Sequence, residues 1–194
     1  MDKIRLDNNA FLYPMPVVLM GTKWREQINF LPVGWISRVN HHPPLIAAAL
    51  NKNHFSSQGI RDSEEFSVCI PGVDLLEKVD CCGLVSGRKA DKSKLFDIFY
   101  GELKSAPMIA ACPLCMECRL AKTVDFPFNT LFIGEIAGVW AEEGCLTEGK
   151  PDIEKIQPVT LTMPDNRYWS VGANIGKAWH DGKKRIKDLK KGGN

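Results

Sequence analysis

Strand-length apolar runs follow one another along this chain, separated by breaks too short to hold the helical crossovers that a parallel sheet needs. The run at residues 45–50, LIAAAL, is continuous, as in a strand buried on both faces. Asn40-His41-His42-Pro43-Pro44 precedes it and breaks regular pairing, because neither proline has an N–H for a ladder and Pro44 restricts Pro43. Upstream, residues 17–20 read as a first strand ending at Gly21, and polar residues 24–29 turn the chain into a second strand over 31–39. That second strand mixes β-branched and aromatic residues with Gly34, where a backbone or a ligand can approach closely. Further strands are expected at 66–70 (closed by Pro71-Gly72), around 107–109, at 118–124, at 130–140 with glycines where it bends, and at 159–163. Helices are few and short: 59–65, 74–79 with Asp74 as N-cap, and 92–100 with Asp91 as cap. The expected architecture is mainly β, an antiparallel barrel with helical attachments, in a single domain over residues 1–194 ending in a basic tail at about 181–194.

A chain of 194 residues buries one core of ordinary size, and 44% hydrophobic with 25% charged residues suits a water-soluble domain. The formal charge of +2 gives no strong pull toward nucleic acid or a membrane, and neither is expected as a partner. Residues 1–21 lack the uninterrupted apolar core of a secretory leader, and no run reaches membrane-spanning length. Seven cysteines, an odd number without a leader, argue for free thiols in a reducing compartment, the cytoplasm. Seven basic residues between Lys177 and Lys191 read as a solvated helix or frayed end.

Two stretches offer chemistry. In Asn51-Lys52-Asn53-His54-Phe55-Ser56-Ser57 six of seven side chains carry donors, at the end of a buried strand and the start of a helix expected to open at Ser56 or Ser57. Such a cluster suits an anion, and equally an ordinary solvated loop with a serine cap. Cys112-Pro-Leu-Cys115-Met-Glu-Cys118 has the opening spacing of an iron–sulfur loop but no fourth Cys followed by Pro. Cys118 falls in an expected strand, whose alternation turns it away from a shared cluster. Buried structural thiols are the simpler reading, and no metal site is assigned. A nucleophile elbow, a phosphate-binding Walker loop and a dinucleotide glycine fingerprint are all missing, which leaves hydrolases and nucleoside-triphosphate enzymes little to stand on.

The order Val-Gly-Trp-Ile-Ser (33–37), Pro43-Pro44, an apolar strand, Lys-Asn-His-Phe-Ser (52–56), Ile60 and Glu-Phe-Ser-Val (65–68) resembles the flavoredoxin branch of the flavin-reductase-like, FMN-binding split-barrel proteins. Cys-Gly-Leu-Val-Ser-Gly-Arg-Lys-Ala-Asp-Lys (82–92) and Tyr-Trp-Ser-Val-Gly-Ala-Asn-Ile-Gly-Lys (168–177) match as well, so the resemblance covers about residues 10–180. It implies a split β-barrel of Greek-key type and FMN as cofactor. The flavin ring would lie against Val33, Gly34, Trp35 and Ile36 with Ser37 nearby, and the phosphate would meet Asn53, His54 and Ser56. Ser57 adds a further donor there, and Cys82 lies in a ring-flanking loop. It also implies a homodimer with the cofactor near the subunit boundary, reduction by NADH or NADPH, and transfer to free flavin or a protein acceptor, with no side chain acting as catalyst. The rival readings are an iron–sulfur carrier using Cys112, Cys115 and Cys118, and a flavin-free binding module on the same barrel.

Overall fold

The computed structural model describes residues 1–183, 185, 186 and 189. After an exposed N-terminal arm, a short strand β1 (Met15–Pro16) leads into the hairpin β2 (Val18–Trp24) and β3 (Gln27–Val33). The chain breaks at Gly34-Trp35 and resumes as β4 (Ile36–Asn40), which turns at the proline pair into β5 (Leu45–Asn51). Helix α1 (Phe55–Ser63) follows, then β6 (Glu65–Ile70), a 3-10 turn Val73–Leu75 and α2 (Leu76–Leu84). A second 3-10 turn, Lys92–Leu95, precedes the two-residue strands β7 (Ile98–Phe99) and β8 (Met108–Ile109). The long hairpin β9 (Leu114–Asp125) and β10 (Asn129–Ala141) comes next. A polar segment carries β11 (Leu146–Thr147), β12 (Lys150–Pro151) and α3 (Ile153–Ile156), and the hairpin β13 (Val159–Thr162) and β14 (Arg167–Ser170) ends the sheet structure.

Seven strands form one antiparallel sheet in the order β3-β2-β6-β9-β10-β5-β4. Within it β6-β9-β10-β5 is a Greek key, since β5 lies beside β10, the last strand of the group, although the chain visits β6 and β9 in between. The fold is thus the mainly β, antiparallel split barrel with few short helices. A small sheet β1-β13-β14 packs on its flank, with Met15 opposite Leu161.

Alternation along each strand sorts side chains into two cores. Val18, Met20, Phe66, Val68, Cys118 and Phe132 fill the inside of the curled sheet. Leu19, Phe30, Cys69 and Cys115 point outward into a second core, roofed by Leu75, Val79 and Cys82 and by Met108 and Ile109. The curl is concentrated in β10, which slips register against β9 between Ile133 and Gly134 and between Ile136 and Gly138. Close packing requires the glycine at 134: a Cβ there would stand 2.4 Å from Phe66 Cζ.

Several boundaries differ from expectation. The strand expected over 31–39 is two strands in different pairings: β3 pairs with β2, whereas β4 pairs with β5. Period-2 pattern continues through Gly34 and Trp35, so nothing local marks the exchange of partner. Helix α1 begins at Phe55, earlier than Ser56, with His54 as its N-cap residue in extended conformation. The helix expected at 92–100 is a single 3-10 turn, although Asp91 does cap it, accepting the Ser93 N–H at 3.1 Å. Asp74 lies inside its 3-10 turn, which Gly72 caps. Residues 171–177, at the end of the second matching motif, form no helix or strand. The basic tail is described only at 181–183, 185, 186 and 189, and the rest of that expectation lies outside the described residues.

Candidate functional site

The exchange of strand partners at Gly34-Trp35 creates a cleft. Where β3 leaves the hairpin and β4 joins the other half of the sheet, the two strands part, and Trp35 keeps only its carbonyl engaged, accepting the Ala49 N–H at 2.9 Å. The cleft, of about 410 Å³, has Leu31, Pro32, Val33, Gly34 and Trp35 on one side and Ala49, Leu50, Asn51, His54 and Asn129 on the other. Met15, Leu161 and Met163 from the flanking sheet close its end. That size and apolar lining are those of a small-molecule or cofactor site. A Cβ on Gly34 would come no nearer than 3.5 Å to any protein atom, so its absence leaves open room in the cleft and relieves no internal clash.

Trp35, 49% exposed, forms a ridge between this cleft and a second, apolar one of about 660 Å³ lined by Phe11, Leu12, Ile36, Ser37, Val39 and Leu131. Phe11 leans on the indole with ring centroids 6.4 Å apart. Val33, Gly34 and Trp35 therefore line the first cleft as expected, whereas Ile36 and Ser37 lie beyond the ridge in the second.

At the other end of the first cleft the chain folds the donor-rich loop onto itself. The Asn53 N–H donates to Asn51 Oδ1 at 2.9 Å and the His54 N–H to Asn51 O at 3.1 Å, which leaves the Asn53 side chain exposed and outside the cleft lining. Ser57 Oγ donates to Asn51 O at 2.7 Å. Ser56 Oγ, fully buried, accepts from Asn29 Nδ2 at 2.8 Å and Thr22 Oγ1 at 3.3 Å. Both serines thus act through their position in the first turn of α1 and as internal braces, not as exposed side-chain donors. His54 makes no side-chain cap, so first-turn amides of α1 keep the orphan donor character that draws anions to a helix N-terminus. His54 lines the cleft with its ring, whose pKa is held below the usual 6.5 by burial and by the Lys92 ammonium.

Lys92 escaped the sequence reading as a site residue. Its side chain is 3% exposed and donates to Phe30 O at 3.1 Å and Cys82 O at 2.6 Å, and no carboxylate among the described residues pairs with it. Burial lowers its pKa. A buried ammonium satisfied only by two carbonyls retains a third proton and most of its field, and that field reaches His54. Asn29 escaped likewise: it is 2% exposed, and its Oδ1 is the one buried side-chain polar atom among the described residues without a partner. Asn29 has only the signal of a polar residue between apolar Ile28 and Phe30, and Lys92, within the polar stretch 86–94, has none.

Cys82 departs from expectation. It lies in α2, fully buried in the outer core, outside the cleft lining; the helix runs on through Leu84, and the loop proper begins at Val85. Burial pushes its thiol pKa up to about 11. The cysteine motif is also split: Cys112 and Cys115 join Cys69 in the outer core, while Cys118 points into the barrel. Among the described residues no three His, Cys, Asp or Glu side chains are placed to hold a metal ion.

Flat apolar walls with strand backbone at one end, and helix amides beside a buried cation at the other, suit a planar ring carrying a phosphate. The fold and cleft define a split-barrel protein with a cofactor-sized groove at its seam. The chain belongs to the flavin reductase like family: the model described as Flavin reductase like domain matches residues 10–168. It is of the flavoredoxin type. A flavoredoxin structure from Methanosarcina acetivorans is 49% identical with a TM-score of 0.93, covering 95% of this chain and 99% of that one. The flavoredoxin of Desulfovibrio vulgaris (Miyazaki F) is 31% identical with a TM-score of 0.85, over 93% and 100% of the two chains. An FMN-binding protein from Thermus thermophilus shares the fold at 23% identity, with a TM-score of 0.77 over 91% and 97%.

Proposed function

We propose that the cleft beside Trp35 binds FMN and that the protein passes electrons between a nicotinamide dinucleotide, NADH or NADPH, and free flavin or a redox protein. The observation that carries this reading is the succession along one cleft of an apolar wall at Val33-Gly34-Trp35 and a polar end at Asn51 and His54, where α1 begins. Strand backbone beside Gly34 would meet the polar edge of the ring, with the Trp35 indole as its wall. First-turn amides at Phe55 and Ser56 and the His54 ring would take the phosphate, with the field of the buried Lys92 ammonium behind them. Asn29 and Ser56 hold that turn from beneath. The names of the two flavoredoxins and of the Thermus FMN-binding protein support the same ligand.

When bound, the flavin supplies the hydride and single-electron chemistry. The chain's own work is then to bind, orient and shield, and no side chain is assigned as acid, base or nucleophile. Phe11, Leu12 and Val39 form an apolar cleft across Trp35 that remains open in the single chain. A second copy covering it would make a homodimer with the cofactor near the boundary, in the cytoplasm, without nucleic-acid or membrane partners. No helix among the described residues is long and apolar enough to cross a membrane.

Anaerobic mixing of the FMN-loaded protein with NADH and with NADPH tests the electron-transfer reading. Loss of the flavin absorbance with at least one of them, and its return on adding free flavin or an oxidised redox protein, is the expected result. A flavin that neither nucleotide nor a low-potential protein donor reduces would overturn it.

A further inference from the structure

The half of the cysteine motif that enters the outer core, Cys112-Pro-Leu-Cys115, meets a third thiol there, Cys69. Cys69 in β6 and Cys115 in β9 are register partners. The Leu120 N–H donates to Glu64 O at 2.7 Å, which makes Glu64 and Leu120 a hydrogen-bonded pair, and alternation from there puts Cys69 and Cys115 at a non-hydrogen-bonded one. Cα atoms at such a pair are about 4.5 Å apart with both side chains on one face, inside the roughly 4.4–6.8 Å that a disulfide bridges. The two residues are 0% and 1% exposed.

Cys112 completes the group from the turn between β8 and β9, where Ala110 and Ala111 are exposed and Cys112 itself is 6% exposed. Its N–H donates to Ile109 O at 3.1 Å and Cys115 Sγ donates to the same carbonyl at 3.5 Å, so turn and strand are drawn together beside Cys69. Ser67 Oγ lies 3.8 Å from Cys69 Sγ. Burial works against a charge on Cys69, but hydrogen bonds from the Cys112 and Cys115 thiols outweigh it and hold its pKa below the ordinary thiol value, while contact with Cys115 and Cys69 pushes the Cys112 thiol up. Three sulfurs in contact, one of them an acceptor and another near the surface, differ from Cys82 and Cys118, whose thiols burial pushes up.

We propose that Cys69 and Cys115 are a peroxide-reducing dithiol, closed to a disulfide by a hydroperoxide, with Cys112 as the outer thiol through which it is reopened. A molecule as small as hydrogen peroxide enters past Cys112 when the hydrogen bonds of the turn, Cys112 N–H to Ile109 O and Ala110 N–H to Asp97 O, give way. The Cys69 sulfur attacks one peroxide oxygen, the O–O bond breaks, and the departing oxygen leaves as water with the proton that Cys69 gave up. Cys69 is then a sulfenic acid. The Cys115 sulfur displaces its hydroxyl, the S–S bond forms, and the hydroxyl leaves as a second water with the Cys115 proton. Two thiols have lost two electrons and the peroxide has gained them. For the return, Cys112 attacks the Cys115 sulfur and frees Cys69, which moves the disulfide to the Cys112-Pro-Leu-Cys115 turn, where an external dithiol reduces it and is itself oxidised to a disulfide. None of the three residues lines the cleft beside Trp35, so the proposal stands independently of the flavin reading.

The test adds hydrogen peroxide to purified protein held in air, where any bound flavin is oxidised and has no electrons to give, and maps the disulfides by mass spectrometry after digestion. Wild-type protein is expected to consume one peroxide per chain, to lose two hydrogen atoms in mass, and to carry Cys115 joined to Cys69 or, after internal exchange, to Cys112. Dithiothreitol should restore the original mass and sustain repeated turnover of peroxide. C112S is expected to close only the Cys69 to Cys115 link and to be reopened by dithiothreitol at least tenfold more slowly than the wild type. C69S should consume peroxide at least tenfold more slowly. Circular dichroism checks that both variants fold, and the wild-type map decides the pairing even if one does not. No peroxide-dependent link in the wild type, a link that leaves out Cys115, or equal peroxide consumption by C69S and wild type overturns the dithiol. Equal reopening of C112S and wild type overturns the part given to Cys112.

Discussion

Asn29 and Ser56, on a strand and a helix, meet inside the protein: Asn29 Nδ2 donates to Ser56 Oγ at 2.8 Å, while Asn29 Oδ1 is buried with no donor facing it. This contact fixes the first turn of α1 over the end of the cleft. Replacing Asn29 by Asp keeps the shape but sets a negative charge under that turn and removes the donor. FMN affinity should fall at least tenfold in N29D with the circular dichroism spectrum retained. Fluorescence titration with FMN measures it.

Gly87 lies against the same amide. A Cβ there would come within 2.3 Å of Asn29 Oδ1, and Gln27 Nε2 donates to the Gly87 carbonyl, so the loop cannot simply back away. Gly87→Ala should destabilise the protein by about 1–3 kcal/mol, the usual cost of overpacking. Urea unfolding of the two proteins gives the difference.

Lys92 should matter more for the ligand than for the fold. A buried ammonium is costly to desolvate, so Lys92→Met should leave stability unchanged or slightly raised. Loss of its field at the phosphate should weaken FMN binding by less than a direct charge-assisted contact would, which is about 1.5–3 kcal/mol or roughly ten- to a hundredfold. Binding and unfolding measured on the same variant separate the two effects.

His54 should titrate below 6.5 in the ligand-free protein, because burial and the Lys92 charge both disfavour its cation. The unfolded chain then binds more protons between that lowered pKa and 6.5, so stability from this residue is lost as pH falls through 6.5 toward the folded value. A phosphate dianion nearby reverses the field, and the pKa should rise on adding FMN. Proton NMR titration of the imidazole with and without FMN reads both shifts, and His54→Asn removes the signal that identifies them.

Much of the fold was legible because barrel strands carry their signal locally. The continuous run at residues 45–50 is β5, an interior strand between β10 and the edge strand β4, and Pro43-Pro44 lies in the turn that leads into it. The seam at Gly34-Trp35 was read as a place of close approach but not as a change of partner, since both partners accept the same alternating pattern and only tertiary pairing distinguishes them. Of the residues expected at the site, Val33, Gly34, Trp35 and His54 line the cleft. Ser56 and Ser57 were expected to offer donors there, but helix geometry turns their hydroxyls inward, to Asn29 and Asn51. Lys92 and Asn29 were passed over because burial, which makes each notable, is a property of the folded chain alone. Cys82 was misplaced by one loop, since α2 extends through Gly83, a residue that reads locally as a breaker.

Titration of ligand-free protein with FMN, followed by absorbance and by tryptophan fluorescence in the wild type and in Trp35→Ala, tests the central claim most directly. The account predicts one FMN per chain, quenching of the Trp35 contribution, and at least tenfold weaker binding once the indole is removed. Absence of binding with FMN in large molar excess, or binding that Trp35→Ala leaves unchanged, would contradict it.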